Sequence, residues 1–265
     1  MPDTFGGRIV FLLQKSGWSF VRGAGISLIL ALIGTLIGCI IGFAVGIVQT
    51  IPIAKKDHPV KKILLHILKF ILNAYVEIFR GTPMMAQAML IFYGSTALFN
   101  IHMSTFFAAV FIVSINTGAY MAETVRGGIL SIDTGQTEGA KAIGMTHFQT
   151  MLNVILPQAL RNIMPQIGNN LIINIKDTCV LSIIGTVELF YAAKGTAGSY
   201  YTYFESFTIA MVIYFIMTFT CSRILRHFEG KLDGPDNFDL ATTDTLAHTS
   251  GMSKYPDKKG GSDNE

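Results

Sequence analysis

The sequence predicts an all-α integral membrane protein with about five transmembrane helices, the amino terminus outside and the carboxyl terminus inside. Hydrophobic residues make up 51% of the 265 residues and charged residues only 14%, against about 25% charged residues in a typical soluble domain. Several stretches without charge also reach the length of about 20 apolar residues that a spanning helix needs. These observations argue against a soluble enzyme and against a disordered chain.

The spans follow from the positions of the charged residues. Residues 23–54 carry no charged side chain, and the forty-two residues 81–122 have room for two spans. Residues 162–187 are interrupted only by Lys176 and Asp177. Residues 63–79 are apolar on one side and predict an amphipathic helix that leads into the second span. The predicted spans are 26–51, 83–99, 105–126, 163–187 and 205–223.

Four glycines recur every four residues in the first span, at positions 34, 38, 42 and 46. Small residues at this spacing let two membrane helices approach closely. The pattern favours packing inside the same chain, and a dimer face is the alternative.

The orientation rests on the excess of Lys and Arg in cytoplasmic loops. With five spans and the amino terminus outside, the inside segments hold eleven Lys and Arg and the outside segments four. The chain then divides into an outer amphipathic segment (1–22), a transmembrane domain (23–228) and a polar cytoplasmic tail (229–265). The tail has few large apolar residues and a net charge of −3 from residue 231 onward, and we expect it to be disordered.

A short motif, Glu-x-x-Arg-Gly, occurs twice. Glu77 and Arg80 form one copy, and Glu123 and Arg126 form the other. Residues three apart on a helix are neighbours, and pairing lowers the cost of placing charges near a membrane edge. The motif therefore predicts two structural charge pairs.

The segment between the third and fourth spans, about 35 residues long, is longer than a plain connection requires. After Gly144, apolar residues such as Met145, Phe148 and Leu152 follow helical spacing, and Pro157 is expected to end or kink the helix. A short amphipathic helix on the cytoplasmic face needs a surface that buries its apolar stripe. The candidates are the membrane surface, the spans of this chain or a soluble partner.

The residues of this segment resemble the EAA loop of ABC-importer permeases. Glu138-x-Ala140-x-x-x-Gly144 is followed, after nine residues, by Val154-x-Leu156-Pro157. Gly139 stands where the family has its first Ala, and Val154 stands where it has Ile. Further motifs, at 80–83, 119–129, 158–161 and 175–178, are similar to the polar amino-acid branch, the histidine/glutamine type. The resemblance covers residues 20–228.

The resemblance implies a permease subunit of an ATP-driven importer in the cytoplasmic membrane of a prokaryote. A coupling helix at residues 145–150 would dock on a separate ATPase, and a pair of ATPase subunits would bind ATP and Mg. The implied partners also include a second permease subunit (the same or a homologous one), an extracytoplasmic amino-acid-binding protein and membrane lipid. The residues assigned to coupling are Glu138, Ala140, Gly144, Met145, Thr146, His147, Phe148 and Pro157.

The chain itself carries no sign of catalysis or of a resident cofactor. It has no G-x-x-x-x-G-K-[ST] motif for a nucleotide. Its six histidines and three cysteines make no metal-ligand spacing, and no nucleophile has a partnered base. A net charge of +3 is too small to indicate nucleic-acid binding.

Lys176 and Asp177 lie near the middle of the fourth span, where ionisable residues are costly and mark candidate functional sites. Asn170, Asn174 and Asp177 fall at i, i+4 and i+7, on one helix face. An acid pairs with the ammonium group of an amino acid, and amides bind its polar groups. These four residues are the predicted substrate site. Alternatively, they satisfy one another across the bundle, or Lys176 and Asp177 serve an ion-coupled secondary transporter.

Overall fold

The computed structural model describes residues 2–53 and 58–232, and for residues 229–232 it describes the backbone alone. Within this part of the chain all regular structure is helical, which confirms the predicted all-α class. The predicted tail lies almost entirely outside the described residues. The elements are α1 (Phe5–Thr50), α2 (Pro59–Gly81), α3 (Met84–Phe99), α4 (Thr105–Leu130), α5 (Thr134–Ala142), α6 (His147–Thr150), a π turn (Met151–Ile155), α7 (Leu156–Asp177), a 3-10 segment (Thr178–Ile184), α8 (Leu189–Tyr200) and α9 (Tyr203–Leu232).

Helix α1 is 46 residues long and starts well before residue 26, where the first span was predicted to begin. It passes residue 22 without a break, so the segment 1–22 is largely part of the same helix. Thr4 caps it by accepting a hydrogen bond from the Gly7 N–H. The amino-terminal turns bury Leu12 and Phe20 against α8 and α9, and Arg8 pairs with Glu205 at 3.1 Å.

The glycine face of α1 packs on α4, so the four glycines serve packing inside this chain, as the sequence pattern favoured. Cβ atoms built at Gly34, Gly38 and Gly42 would come within 3 Å of atoms of α4. At Gly42 the nearest atoms belong to Met121, whose Cβ is 2.3 Å away and whose backbone carbon is 2.8 Å away. The two helices therefore approach as closely as their backbones allow.

Gly42→Ala is expected to lower the free energy of unfolding by about 1–3 kcal/mol, because the added methyl group overpacks the contact with α4. Gly25→Ala is the matched control: it lies in the same helix, and nothing lies within 4 Å of its Cβ position. Both changes gain the same helix propensity. Thermal unfolding in detergent measures the difference, and equal melting temperatures for the two variants would contradict the close contact.

A break in the helix separates the second predicted span from the amphipathic helix that precedes it. Helix α2 covers the predicted amphipathic segment, and α3 begins directly after Pro83. Pro83 has no N–H to continue the helix. The Gln87 side chain donates instead to the carbonyl oxygens of Phe79 (2.9 Å) and Thr82 (3.0 Å). Asn116 of α4 donates to Gln87 Oε1 at 2.9 Å and so fastens this break to α4.

The expectation that Pro157 ends the helix is wrong. The chain stays helical from His147 to Ile184, with a π turn over Met151–Ile155 just before Pro157. Helix α7 also contains Pro165. At Gly185, whose φ is +82°, the chain turns left-handed, and the direction bends by 53° into α8.

The described helices differ in how well they could span a bilayer by length and hydropathy. Phe5–Thr50, Thr105–Leu130 and Tyr203–Phe228 are long and apolar enough, and the bent pair His147–Ile184 with Leu189–Tyr200 makes a fourth candidate. Met84–Phe99 is apolar but has only 16 residues. The number of five spans, with α3 as the fifth, and the orientation remain predictions.

Candidate substrate cavity and coupling loop

A cavity of about 340 Å³ lies at the break between α2 and α3. It holds three of the four residues predicted to bind substrate, and Lys176 is not among its lining residues. The lining comes from the break (residues 82–84), from Asn116, Thr117 and Tyr120 of α4, and from Asn170, Ile173, Asn174 and Asp177 of α7. The helical spacing of the α7 residues brings them to one face, as the sequence predicted.

The polar residues of α7 differ in how they are satisfied. Asn174 is buried and donates to Thr35 Oγ1 at 2.7 Å and Thr117 Oγ1 at 2.9 Å, which ties α7 to α1 and α4. This is the cross-bundle role that the sequence left open. Asn170 donates to the Gln166 carbonyl oxygen at 2.9 Å. Asp177 makes no hydrogen bond or ion pair with any described residue, so its carboxylate is available to a ligand.

Glu188 is a buried acid that the sequence reasoning missed. Its side chain is 0% exposed and caps α8 by accepting the N–H groups of Phe190 (2.9 Å) and Tyr191 (2.7 Å). Ser27 of α1 and Tyr214 of α9 also donate to Glu188 Oε2, at 3.2 and 2.7 Å. The available signal was an acid among apolar residues, directly before a helix. Glu188 therefore joins three helices at one point.

The loop between α4 and α7 turns at Gly144. Helix α5 ends in a Schellman motif: the Gly144 N–H donates to the Lys141 carbonyl oxygen and the Met145 N–H to that of Ala140, both at 3.0 Å. Gly144 has φ +84°, a left-handed conformation that glycine adopts without strain, and the space around its Cβ position is open. The requirement at Gly144 is therefore conformational rather than steric.

A capping box starts the next helix. The Thr146 side chain accepts the Gln149 N–H, and the Gln149 side chain accepts the Thr146 N–H. The pattern Thr-x-x-Gln in the sequence signals such a box. The helix is short and leaves Phe148 73% exposed, and Ile143, just before the turn, is 77% exposed.

The other residues assigned to coupling divide between core and surface. Ala140 is buried, and Met145 is half-buried. Glu138, Thr146 and His147 are exposed, and Glu138 makes no hydrogen bond or ion pair within the described chain. Pro157 lies in the first turn of α7. The loop thus presents polar and apolar side chains on a turn whose shape is fixed by its backbone.

The family described as "Binding-protein-dependent transport system inner membrane component" matches residues 65–233. The chain belongs to this family. Members of this family are transport permeases rather than enzymes. The glutamine transport system permease protein GlnP of Escherichia coli (strain K12) is 38% identical over 159 residues, 60% of this chain and 73% of that protein. The arginine transport system permease protein ArtQ of Bacillus subtilis (strain 168) is 35% identical over 167 residues, 63% of this chain and 76% of that protein.

Solved structures share the fold of this chain. The crystal structure of an amino acid ABC transporter with histidines matches with a TM-score of 0.74 and 33% identity, over 87% of this chain and all of that one. An inward-facing methionine ABC transporter, MetNI, matches with a TM-score of 0.65 over 81% of this chain and 96% of that one. At 20% identity, this second likeness concerns the fold alone.

The charged residues of the two Glu-x-x-Arg-Gly motifs line one cavity. Arg126 donates from Nε to Glu123 Oε2 at 3.2 Å. The expected partner of Arg80 was Glu77, but Arg80 reaches across to Glu123 of α4 at 3.6 Å. Its guanidinium also lies 5.7 Å from the centre of the Tyr120 ring. The sequence spacing identified the charges, whereas the packing of α2 against α4 selects the partner.

Proposed function

We propose that this permease imports a polar amino acid across the cytoplasmic membrane of a prokaryote. A pair of ATPase subunits, which bind ATP and Mg, drives the transport. An extracytoplasmic binding protein supplies the substrate, and a second permease subunit completes the transport path. The observation that carries the proposal is the exposed turn at Gly144, which leads directly into a capped helix with unburied apolar side chains. The names of the relatives, glutamine and arginine transport permeases, support the substrate class.

The coupling step follows from the loop's construction. Phe148 and Ile143 would insert into a cleft on the ATPase, since burying exposed apolar surface favours association. The Schellman turn and the capping box hold the loop in one shape, so a movement of the docked ATPase would be passed on rather than absorbed. Because the chain is helical from His147 through Ile184, this movement would reach the residues of α7 that line the cavity. Rigid-body switching of packed helices is a known mode of such transitions.

The cavity at the α2–α3 break would hold the amino acid. The Asp177 carboxylate would accept hydrogen bonds from its ammonium group, and the polar side chains of Asn170 and Asn116 would meet its other polar groups. The amide nitrogen of Asn174 already donates to Thr35 and Thr117. Asn174 would therefore shape the cavity, and only its amide oxygen could bind the substrate.

Asp177→Asn is expected to lower amino-acid uptake about tenfold or more at low substrate concentration, because a hydrogen bond to a charged group is lost. Lys176→Gln is the companion variant. Lys176 does not line the cavity, so we expect a smaller effect. The measurement is the initial rate of uptake in reconstituted vesicles at several substrate concentrations. A stronger loss with Lys176→Gln than with Asp177→Asn would contradict this placement of the substrate.

The experiment that tests the proposed function is purification of the tagged chain from its native membrane in mild detergent, with the partners identified by mass spectrometry. We expect a nucleotide-binding subunit with a G-x-x-x-x-G-K-[ST] motif to co-purify. A chain that purifies without any such subunit would contradict the proposal.

A further inference from the structure

A second polar cavity, of about 380 Å³, is lined by residues of α1, α2 and α4. Its lining includes two amide side chains, Gln49 and Asn73, and five charged ones: Lys69, Glu77, Arg80, Glu123 and Arg126. Helix α4 lines both cavities. Thr117 and Tyr120 face the substrate cavity, and Glu123 and Arg126 follow towards the end of the helix from which the coupling loop leaves. At 1.5 Å per residue, Thr117 and Arg126 are separated by about 13 Å along α4.

The contact between Arg80 and Tyr120 lies between the two cavities. Tyr120 lines the substrate cavity, Arg80 lines the second one, and the guanidinium carbon is 5.7 Å from the ring centre. The second cavity therefore continues the first towards the coupling-loop end of the bundle. On the proposed function, that end faces the cytoplasm.

The positive groups of this cavity keep unused hydrogen-bond donors. Arg80 and Arg126 share the single carboxylate of Glu123, although each guanidinium has five N–H donors. Lys69 donates to the carbonyl oxygens of Gln49 (2.8 Å) and Ile51 (2.6 Å) at the end of α1. The two arginines are thus held in position by Glu123 and can still bind a second carboxylate in the forked geometry that arginine favours.

The same cavity has unused acceptors. Glu77 makes no hydrogen bond or ion pair with any described residue. Gln49 donates to Asn73 Oδ1 at 2.9 Å, but its own Oε1 is buried without a partner among the described residues. A buried acceptor left without a donor is costly. A ligand with an ammonium group would satisfy both acceptors.

We propose that this cavity is a second, inner binding subsite for the transported amino acid. Its carboxylate would bind Arg80 and Arg126, and its ammonium group would bind Glu77 and Gln49 Oε1. The inference rests on the proposed function, because it uses the same substrate class. The substrate would pause at this subsite on its way to the cytoplasm, and a high cytoplasmic concentration would fill the subsite and slow further import.

The test uses the complete importer in vesicles of phosphatidylcholine and phosphatidylglycerol, with ATP inside and the binding protein outside. A radiolabelled mixture of polar L-amino acids is added outside, and the same unlabelled mixture is enclosed at increasing concentrations. We expect enclosed amino acids to slow the uptake of label by wild type. Glu77→Gln should raise the internal concentration that halves uptake by about tenfold, because it removes the charged acceptor.

Asp3→Asn is the matched control, since it makes the same acid-to-amide change at an exposed residue far from the cavity in sequence, and it should behave as wild type. Gln49→Met removes the unpartnered acceptor and should shift the inhibition in the same direction as Glu77→Gln. If Glu77→Gln fails to assemble, the inhibition measured with Gln49→Met tests the inner subsite. Inhibition that is absent in wild type, or unchanged in both cavity variants, would overturn the inner subsite. Failure of wild type to take up any label would instead overturn the proposed function.

Discussion

Glu188→Leu is expected to lower the free energy of unfolding by at least about 3 kcal/mol, because it removes the acceptor of four hydrogen bonds at a fully buried site. The donors left behind are the backbone N–H groups of Phe190 and Tyr191 and the hydroxyls of Ser27 and Tyr214. Leucine would fill the space but satisfy none of them. Since α1, α8 and α9 meet here, we expect the loss to separate these helices rather than to loosen a single turn.

Thermal unfolding of the purified protein in detergent measures this effect. Glu188→Gln should lower the melting temperature less than Glu188→Leu, because its amide oxygen still accepts hydrogen bonds. Some stability would still be lost, because its NH₂ group faces other donors. Glu138→Gln makes the same change at an exposed residue without hydrogen bonds in the described chain and should melt as wild type. A Glu188→Leu protein that also melts as wild type would show that Glu188 does not hold the three helices together.

Gly144→Val is expected to reduce uptake about tenfold or more while the protein still inserts and folds. A β-branched residue at φ +84° costs at least about 1–2 kcal/mol, and the Schellman turn that orients the next helix would open. The core would be unaffected, because no atom lies within 4 Å of the Cβ position. The effect would therefore fall on coupling to the ATPase and not on the transmembrane bundle.

Gly144→Asn separates the conformational explanation from a steric one. Asparagine tolerates the left-handed region, so this variant should retain most of the uptake. The measurements are uptake per inserted protein and the amount of ATPase that co-purifies with each variant. Normal uptake by Gly144→Val would refute the role of the turn. Equal losses in the Val and Asn variants would show that the size of the side chain at the docking surface matters, and not its backbone angle.

The parts of the fold that depend on local composition could be predicted from the sequence. Runs without charge located α3, α4 and α9, and Gly144 marked the turn of the loop. The amino-terminal extension of α1 was missed because hydropathy reports where a helix is apolar, not where it ends. Nothing in residues 5–22 stops a helix, and its partners on α8 and α9 are distant in the chain.

The candidate site shows the same division. Helical spacing placed Asn170, Asn174 and Asp177 on one face correctly, since this depends on one helix alone. The hydrogen bonds of Asn174 and the pairing of Arg80 with Glu123 depend on how separate helices pack, so sequence spacing could not identify them. The π turn before Pro157 is a change of hydrogen-bond register that residue types do not reveal.

We propose that hydrolysis of ATP by a partner subunit, transmitted through the Gly144 loop, drives amino-acid uptake through this chain. The most direct measurement is uptake into vesicles containing the complete importer, with and without enclosed ATP and with and without an ionophore. We expect uptake that requires ATP and persists when the ionophore collapses the ion gradients. Uptake that continues without ATP and stops with the ionophore would contradict it, and would instead favour an ion-coupled transporter using Lys176 and Asp177.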